Sequence, residues 1–208
     1  STAIAWTENG GEIMQIEVLV IPGKGNLQIT GQVGEIMQES AQAALSYLKS
    51  KAQIFEIPAE LFEESDIHIH IPEGSIPKDG PSAGITLATA LSSAILGVPT
   101  RHEVAMTGEI TLRGRVIPVG GVREKVLAAH RAGIKTILLP TKNEKDLVDV
   151  PKSVIEQLNL VFIDHMDEVL KHALTQEPVY AKPQKPIQER QPKQTKNKMA
   201  KKPSCEKK

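Results

Sequence analysis

Apolar and polar residues alternate over 14–20, with Met14, Ile16, Val18 and Val20 falling on one face. A period of two predicts a half-buried strand there. Pro22-Gly23-Lys24-Gly25 ends it, and 27–30 is predicted as a short strand before Gly31. From residue 35 to about 51 the period lengthens. Ile36, Ala44, Leu45 and Leu48 can share one stripe of an amphipathic helix. Strict alternation returns in Ile67-His68-Ile69-His70-Ile71 and stops at Pro72-Glu73-Gly74. A polar loop, Pro77-Lys78-Asp79-Gly80-Pro81, leads into a segment over 82–96 that is small or apolar on nearly all sides, predicting a buried helix. Residues 104–119 read as two short strands turning at Arg113-Gly114, and 122–131 as a helix closed by a left-handed cap at Gly133. A buried strand over 134–139, helices near 142–149, 154–158 and 167–174, and a strand over 160–163 complete the pattern. Strands and helices mixed with short connections predict an α+β (mixed α/β) fold: a single compact domain of several short sheets packed by helices.

Composition changes the picture at one end. The formal net charge is zero, yet 181–208 hold ten Lys/Arg against Glu189 and Glu206. The rest of the chain is correspondingly acidic. We divide the chain into a domain over 1–178 and a Lys/Pro/Gln-rich tail over 179–208. Few large apolar groups remain in the tail to offset its ordering entropy, so disorder is expected there. Such a tail serves as a solubilising segment or as an electrostatic tether to nucleic acid, and nothing else in the chain supports the second use. The one cysteine, Cys205, excludes an internal disulfide framework and Cys-built metal sites. No apolar run approaches the ~20 residues of a membrane span, and no signal peptide is seen. The expected setting is therefore reducing and not membrane-bound.

Three settings offer nucleophile chemistry. Gly80-Pro81-Ser82-Ala83-Gly84 fits G-x-S-x-G, but the elbow that pattern describes needs a strand running into the Ser. Here the last strand ends near Ile71, and Pro77 and Pro81 intervene. What survives is a Ser opening a helix, beside unpaired N–H groups able to form an oxyanion hole. Ser46-Tyr47-Leu48-Lys49 fits S-x-x-K without its companion motifs and is chance. A histidine triad could draw on His68, His70, His102, His130, His165 or His172, none in a motif that marks a base. His68 and His70 share a strand face without further ligands at diagnostic spacing, so no metal site is expected. No G-x-x-x-x-G-K-[ST] occurs, so no ATP site of the P-loop type lies in this chain.

Pro77-Lys78-Asp79-Gly80-Pro81-Ser82-Ala83-Gly84 resembles the catalytic-serine signature of the Lon proteases. Gly120-Gly121-Val122-Arg123-Glu124-Lys125 resembles their catalytic-lysine segment, and 106–114 the strand turn between the two. Ala5-Trp6-Thr7, 31–37 and 67–74 add to the resemblance, which runs from residue 1 to about 176. It implies a serine endopeptidase with Ser82 as nucleophile, Lys125 as general base and Thr107 orienting the amine. Arg123 stands where the family commonly has Lys, and a guanidinium cannot serve as a base. A neutral Lys near pH 8 needs a pKa about two pH units below its ordinary ~10.4, roughly 3 kcal/mol, which burial supplies. Trp6 lines the substrate cleft or merely packs, with Gly80 and Pro81 beside it. Glu17 faces the site or pairs with a cation, and Asp79 gates the site or shapes the turn. The resemblance further implies a homohexameric ring acting on unfolded proteins or peptides, misfolded and short-lived regulatory proteins included. An ATPase module upstream would use ATP and Mg. The implied location is the cytoplasm, with the mitochondrial matrix as the alternative. The competing readings are a Ser-His hydrolase and a non-enzymatic assembly or nucleic-acid-binding module.

Overall fold

A computed structural model describes residues 1–7, 10–72 and 77–178. The expected disordered tail lies outside these residues, as do Glu73 and Gly74 of the expected strand stop.

The larger sheet has five strands in the order β10-β9-β6-β1-β2. These are β1 (Thr2–Thr7), β2 (Gly10–Gln15), β6 (Val104–Met106), β9 (Thr136–Pro140) and β10 (Asn159–Ile163). β1 and β2 form an antiparallel hairpin, and the other pairings are parallel. A three-stranded sheet joins β3 (Glu17–Pro22), β5 (Ser65–His70) and β4 (Leu27–Thr30), with β5 in the middle. A two-stranded ribbon joins β7 (Glu109–Ile110) to β8 (Val116–Ile117). The helices are α1 (Glu35–Ser50), α2 (Leu61–Glu64), α3 (Gly84–Leu96), α4 (Val122–Arg131), α5 (Lys152–Ile155) and α6 (Met166–Ala173). This is the expected mixed α/β architecture.

The larger sheet is covered on both faces. Ala3, Met106 and Leu138 point into a core shared with α1, α3 and α6. Ile4, Ala105, Ile137 and Leu139 point the other way, against Val122, Val126 and Ala129 of α4. Two-sided burial is the normal environment of parallel strands, and it replaces alternation with continuous apolarity. Each large apolar side chain sealed this way contributes about 1.5–3 kcal/mol. One face of the sheet thus holds α3, which follows Ser82, and the opposite face holds α4, which carries Lys125.

Several expectations need correction. The strand expected over 14–20 is two strands in two sheets. The chain turns at Ile16, whose N–H donates to the Ser1 carbonyl at 2.8 Å. Alternation survives the break: Met14 and Ile16 are buried, and Val18 and Val20 half-buried, so the pattern alone could not reveal it. Ile36 is half-exposed instead of in the α1 stripe, which runs through Met37, Ala41, Ala44, Leu45 and Leu48. The helix expected from residue 82 begins at Gly84, after a single 3-10 turn, Pro81–Ala83. Residues 104–119 hold three strands, because β6 joins the larger sheet before the β7–β8 ribbon turns at Gly114. The helix near 142–149 is a 3-10 segment, Thr141–Asp149. The left-handed glycine at 133 (φ +75°) stands as expected.

Candidate active site

Lys125 owes its place to helical periodicity. Val122, Val126 and Ala129 form the buried arc of α4, and Lys125 falls on the same arc one turn after Val122. Its side chain is only 2% exposed. Burial pushes its ammonium down to about 8. Desolvation disfavours the charged form of an amine, and no carboxylate pairs with Lys125 to oppose that among the described ion pairs.

Thr107 follows the last residue of β6 and is fully buried. Its N–H donates to the Leu138 carbonyl at 3.2 Å, which extends the parallel pairing with β9 by one bond. The Lys125 Nζ donates to Thr107 Oγ1 at 2.9 Å, and Thr107 Oγ1 donates to the Ser82 carbonyl at 3.2 Å. The hydroxyl has a single proton, and that proton points at the Ser82 carbonyl. Its oxygen can therefore only accept from the amine. A neutral Lys125 held by an N–H in this way keeps its lone pair for another group.

The loop before Ser82 is tied to α1. Lys78 N–H donates to the Gln32 carbonyl at 3.0 Å, and Gly34 N–H to the Lys78 carbonyl at 2.8 Å. Asp79 Oδ1 accepts from Met37 N–H at 3.0 Å and from Gly80 N–H at 2.9 Å. The cap residue of α1 is Gly34, which has no side chain to bond the first-turn N–H groups, so Asp79 performs that task from 42 residues away. Asp79 thus shapes the loop and caps a helix. On the far side, the Ser82 carbonyl accepts from Gly108 N–H at 2.8 Å, and Ile85 N–H donates to the Gly108 carbonyl at 3.1 Å. The serine turn is clipped to the end of β6 from both directions.

These elements enclose a cleft of about 450 Å³ lined by Trp6, Asp79, Gly80, Pro81, Ser82, Glu109, Pro118, Val119, Gly120, Gly121 and Lys125. Ser82 is half-buried and lines this cleft. Trp6 is 55% exposed at the rim, so it walls the cleft more than it packs the core. The structure therefore brings together Ser82, Lys125, Trp6, Asp79, Gly80 and Pro81, with Thr107 beneath them.

Glu17 is not brought in. It sits exposed on β3, opposite His70, outside the residues that line the cleft. Among the described residues, none of the six histidines lines the cleft. His68 and His70 both bond the Thr30 hydroxyl, at 2.9 and 2.7 Å. His165 caps α6 by accepting from Asp167 N–H. The described residues hold no cluster of three or more His, Cys, Asp or Glu side chains suited to a metal ion. No helix among them is long and apolar enough to cross a membrane.

Two contributors escape sequence reasoning. Glu109 lines the cleft half-buried, inside a segment where only Thr107 stood out. Asn143 is buried and clamps the far wall. Its Oδ1 accepts from Val119 N–H at 2.9 Å, and its Nδ2 donates to the Val119 carbonyl at 2.8 Å. An Asn in a polar turn carries no signal for that role.

The chain matches the family model for the Lon protease (S16) C-terminal proteolytic domain over residues 1–176. It is 59% identical over 178 residues to a Lon protease of Brevibacillus choshinensis, covering 86% of this chain and 23% of that protein. It is 62% identical over 174 residues to a Lon protease of Syntrophomonas wolfei (84% and 21%). Against Lon protease 1 of Myxococcus xanthus it is 60% identical over 176 residues (85% and 22%). The chain thus spans less than a quarter of the length of these relatives.

Proposed function

Because this chain belongs to the Lon protease C-terminal proteolytic domain family, we propose that it cleaves peptide bonds with Ser82 as nucleophile and Lys125 as general base. The buried Lys125 amine, bonded to Thr107 in the cleft that Ser82 also lines, carries this reading. A substrate carbonyl enters between Trp6 and the Ser82 turn. The neutral amine takes the Ser82 hydroxyl proton as Oγ attacks the carbonyl carbon, giving a tetrahedral oxyanion. Peptide N–H groups of the turn ahead of α3 stabilise that charge. The ammonium then protonates the leaving amine, and the C–N bond breaks. Water, deprotonated by the regenerated amine, releases the acyl group from Ser82.

Thr107 fixes the amine through one N–H and anchors the Ser82 backbone with its own proton, so one hydroxyl sets the spacing of both partners. A histidine-assisted hydrolase has weaker support, since no histidine lines the cleft among the described residues. The proposal extends to the longer protein. An upstream ATPase module, using ATP and Mg, would feed unfolded, misfolded and short-lived regulatory proteins into a homohexameric ring of such domains. We place that assembly in the cytoplasm, with the mitochondrial matrix as the alternative.

The test is the pH dependence of kcat/KM on a quenched-fluorescent peptide. The base works deprotonated, and its ammonium is lowered to about 8. At pH 7 only about one-tenth of the amine is neutral. The rate should rise about tenfold per pH unit up to that midpoint and level off above it. A midpoint near the ordinary His value, removed by a single His→Ala change, would move the base elsewhere.

A further inference from the structure

We propose that Gly11 is a positioning residue for Lys125: its missing side chain lets β2 seat the first turn of α4, and that seat sets where the Lys125 amine enters the cleft. The inference rests on the reading of Lys125 as the base, but its geometry stands apart from that reading.

Trp6 on β1 and Gly11 on β2 are directly paired across the hairpin, so their side-chain positions share one face of the sheet. α4 packs against β1 and β2. Its first turn straddles this pair. On one side, a Cβ built on Gly121, the left-handed cap residue, would lie 2.8 Å from Cγ of Trp6. On the other, a Cβ built on Gly11 would overlap the Glu124 carbonyl oxygen outright. It would also lie 2.6 Å from the Glu124 carbonyl carbon and 2.8 Å from Cβ of Ala128. The Glu124 carbonyl belongs to the peptide that leads into Lys125. The Gly11 carbonyl in turn accepts from the Arg131 guanidinium at 3.3 Å, at the far end of the helix.

Gly11 does not sit at a positive φ, so alanine is allowed there by the backbone and forbidden only by the approach of α4. The obstructing atoms are mostly main chain, so relief requires the helix or the strand to move. Gly10 provides the opposite case. Its φ is +121°, and an added Cβ meets nothing within 4 Å. A side chain at Gly10 strains the hairpin without pushing α4.

The test compares Gly11→Ala with Gly10→Ala in the full chain. Three quantities are read: kcat and KM on the quenched peptide, thermal unfolding, and the pH midpoint for acylation of the Lys125 amine by acetic anhydride, followed by mass spectrometry. Charged groups near the amine's cleft and helix are Asp79, Glu109, Glu12, Arg123, Glu124, Arg131, Asp146 and Asp149. None of them is altered by either substitution. Displacing a base by about 1 Å can cost on the order of 100-fold, so Gly11→Ala is expected to lower kcat at least about tenfold with KM nearly unchanged. Its labelling midpoint should rise by about one pH unit as the amine gains water. Gly10→Ala should lower the unfolding temperature and leave the midpoint in place. If Gly11→Ala does not fold, Ala128→Ser adds one atom to the same contact from the helix side and should shift both readouts in the same direction. An unchanged midpoint in the folded contact variant, or an equal shift in Gly10→Ala, overturns the proposal. A shifted midpoint with unchanged kcat would uphold the seat and overturn Lys125 as the base.

Discussion

Lys125→Met is expected to lose about a thousandfold or more of peptidase turnover while becoming more stable, because general-base catalysis contributes ~10²–10⁴ and a buried charge is costly. Met keeps the length and volume of the side chain and so keeps α4 packed. It cannot take a proton. The gain in stability has a definite sign and pH window. The folded-state pKa of Lys125 is lowered from 10.5 to about 8, so below pH 8 both states are protonated and the folded state bears the full desolvation cost. That cost is on the order of 3 kcal/mol by linkage. Between about 8 and 10.5 the unfolded chain binds more protons, so wild-type stability rises with pH and the advantage of Lys125→Met shrinks to little above 10.5. Thermal unfolding of the two proteins at several pH values checks this. Lys125→Arg should be as inactive as Lys125→Met, since guanidinium yields no proton near neutrality. An active Lys125→Arg would show that the position supplies charge and not proton transfer.

Ser82→Ala is expected to cost at least about a thousandfold in kcat, with substrate binding retained, as for removal of any nucleophile that acts as a unit with its base. The fold should not notice. The bonds that hold the serine turn run through the Ser82 carbonyl, to Gly108 N–H and the Thr107 hydroxyl, and alanine keeps that carbonyl. Unfolding temperatures within a degree or two of wild type, alongside lost turnover, would separate a chemical role from a structural one. Substantial residual turnover would remove Ser82 from the mechanism.

Local periodicity made much of this molecule legible. The helix over 122–131 has the expected bounds, and its apolar arc places Lys125 inside. The short strand over 27–30 and the alternating strand ending before Pro72 stand where the pattern put them. What escaped was set by distant contacts. β1 gives no alternation because Ala3 and Ile4 are buried on opposite faces of the larger sheet, so an interior strand covered on both sides left no period-two trace. The break at Ile16 depends on which sheet each half joins. The Asp79 cap on α1 and the Asn143 clamp on Val119 are bonds between segments whose proximity only the tertiary fold creates. Glu17, which the sequence left between facing the site and pairing with a cation, lies outside the cleft lining, and its charge acts on the Ser1 ammonium.

Trapping the acyl-enzyme tests whether Lys125 activates Ser82 by taking its proton. Protein is mixed with a peptide nitrophenyl ester over a range of pH, quenched in acid within one turnover, and digested for mass spectrometry. The acyl group is expected on Ser82, forming faster as pH rises through about 8 and undetected over the same interval in Lys125→Met. An acyl group on another residue, or acylation of Ser82 in Lys125→Met at the wild-type rate, would contradict it.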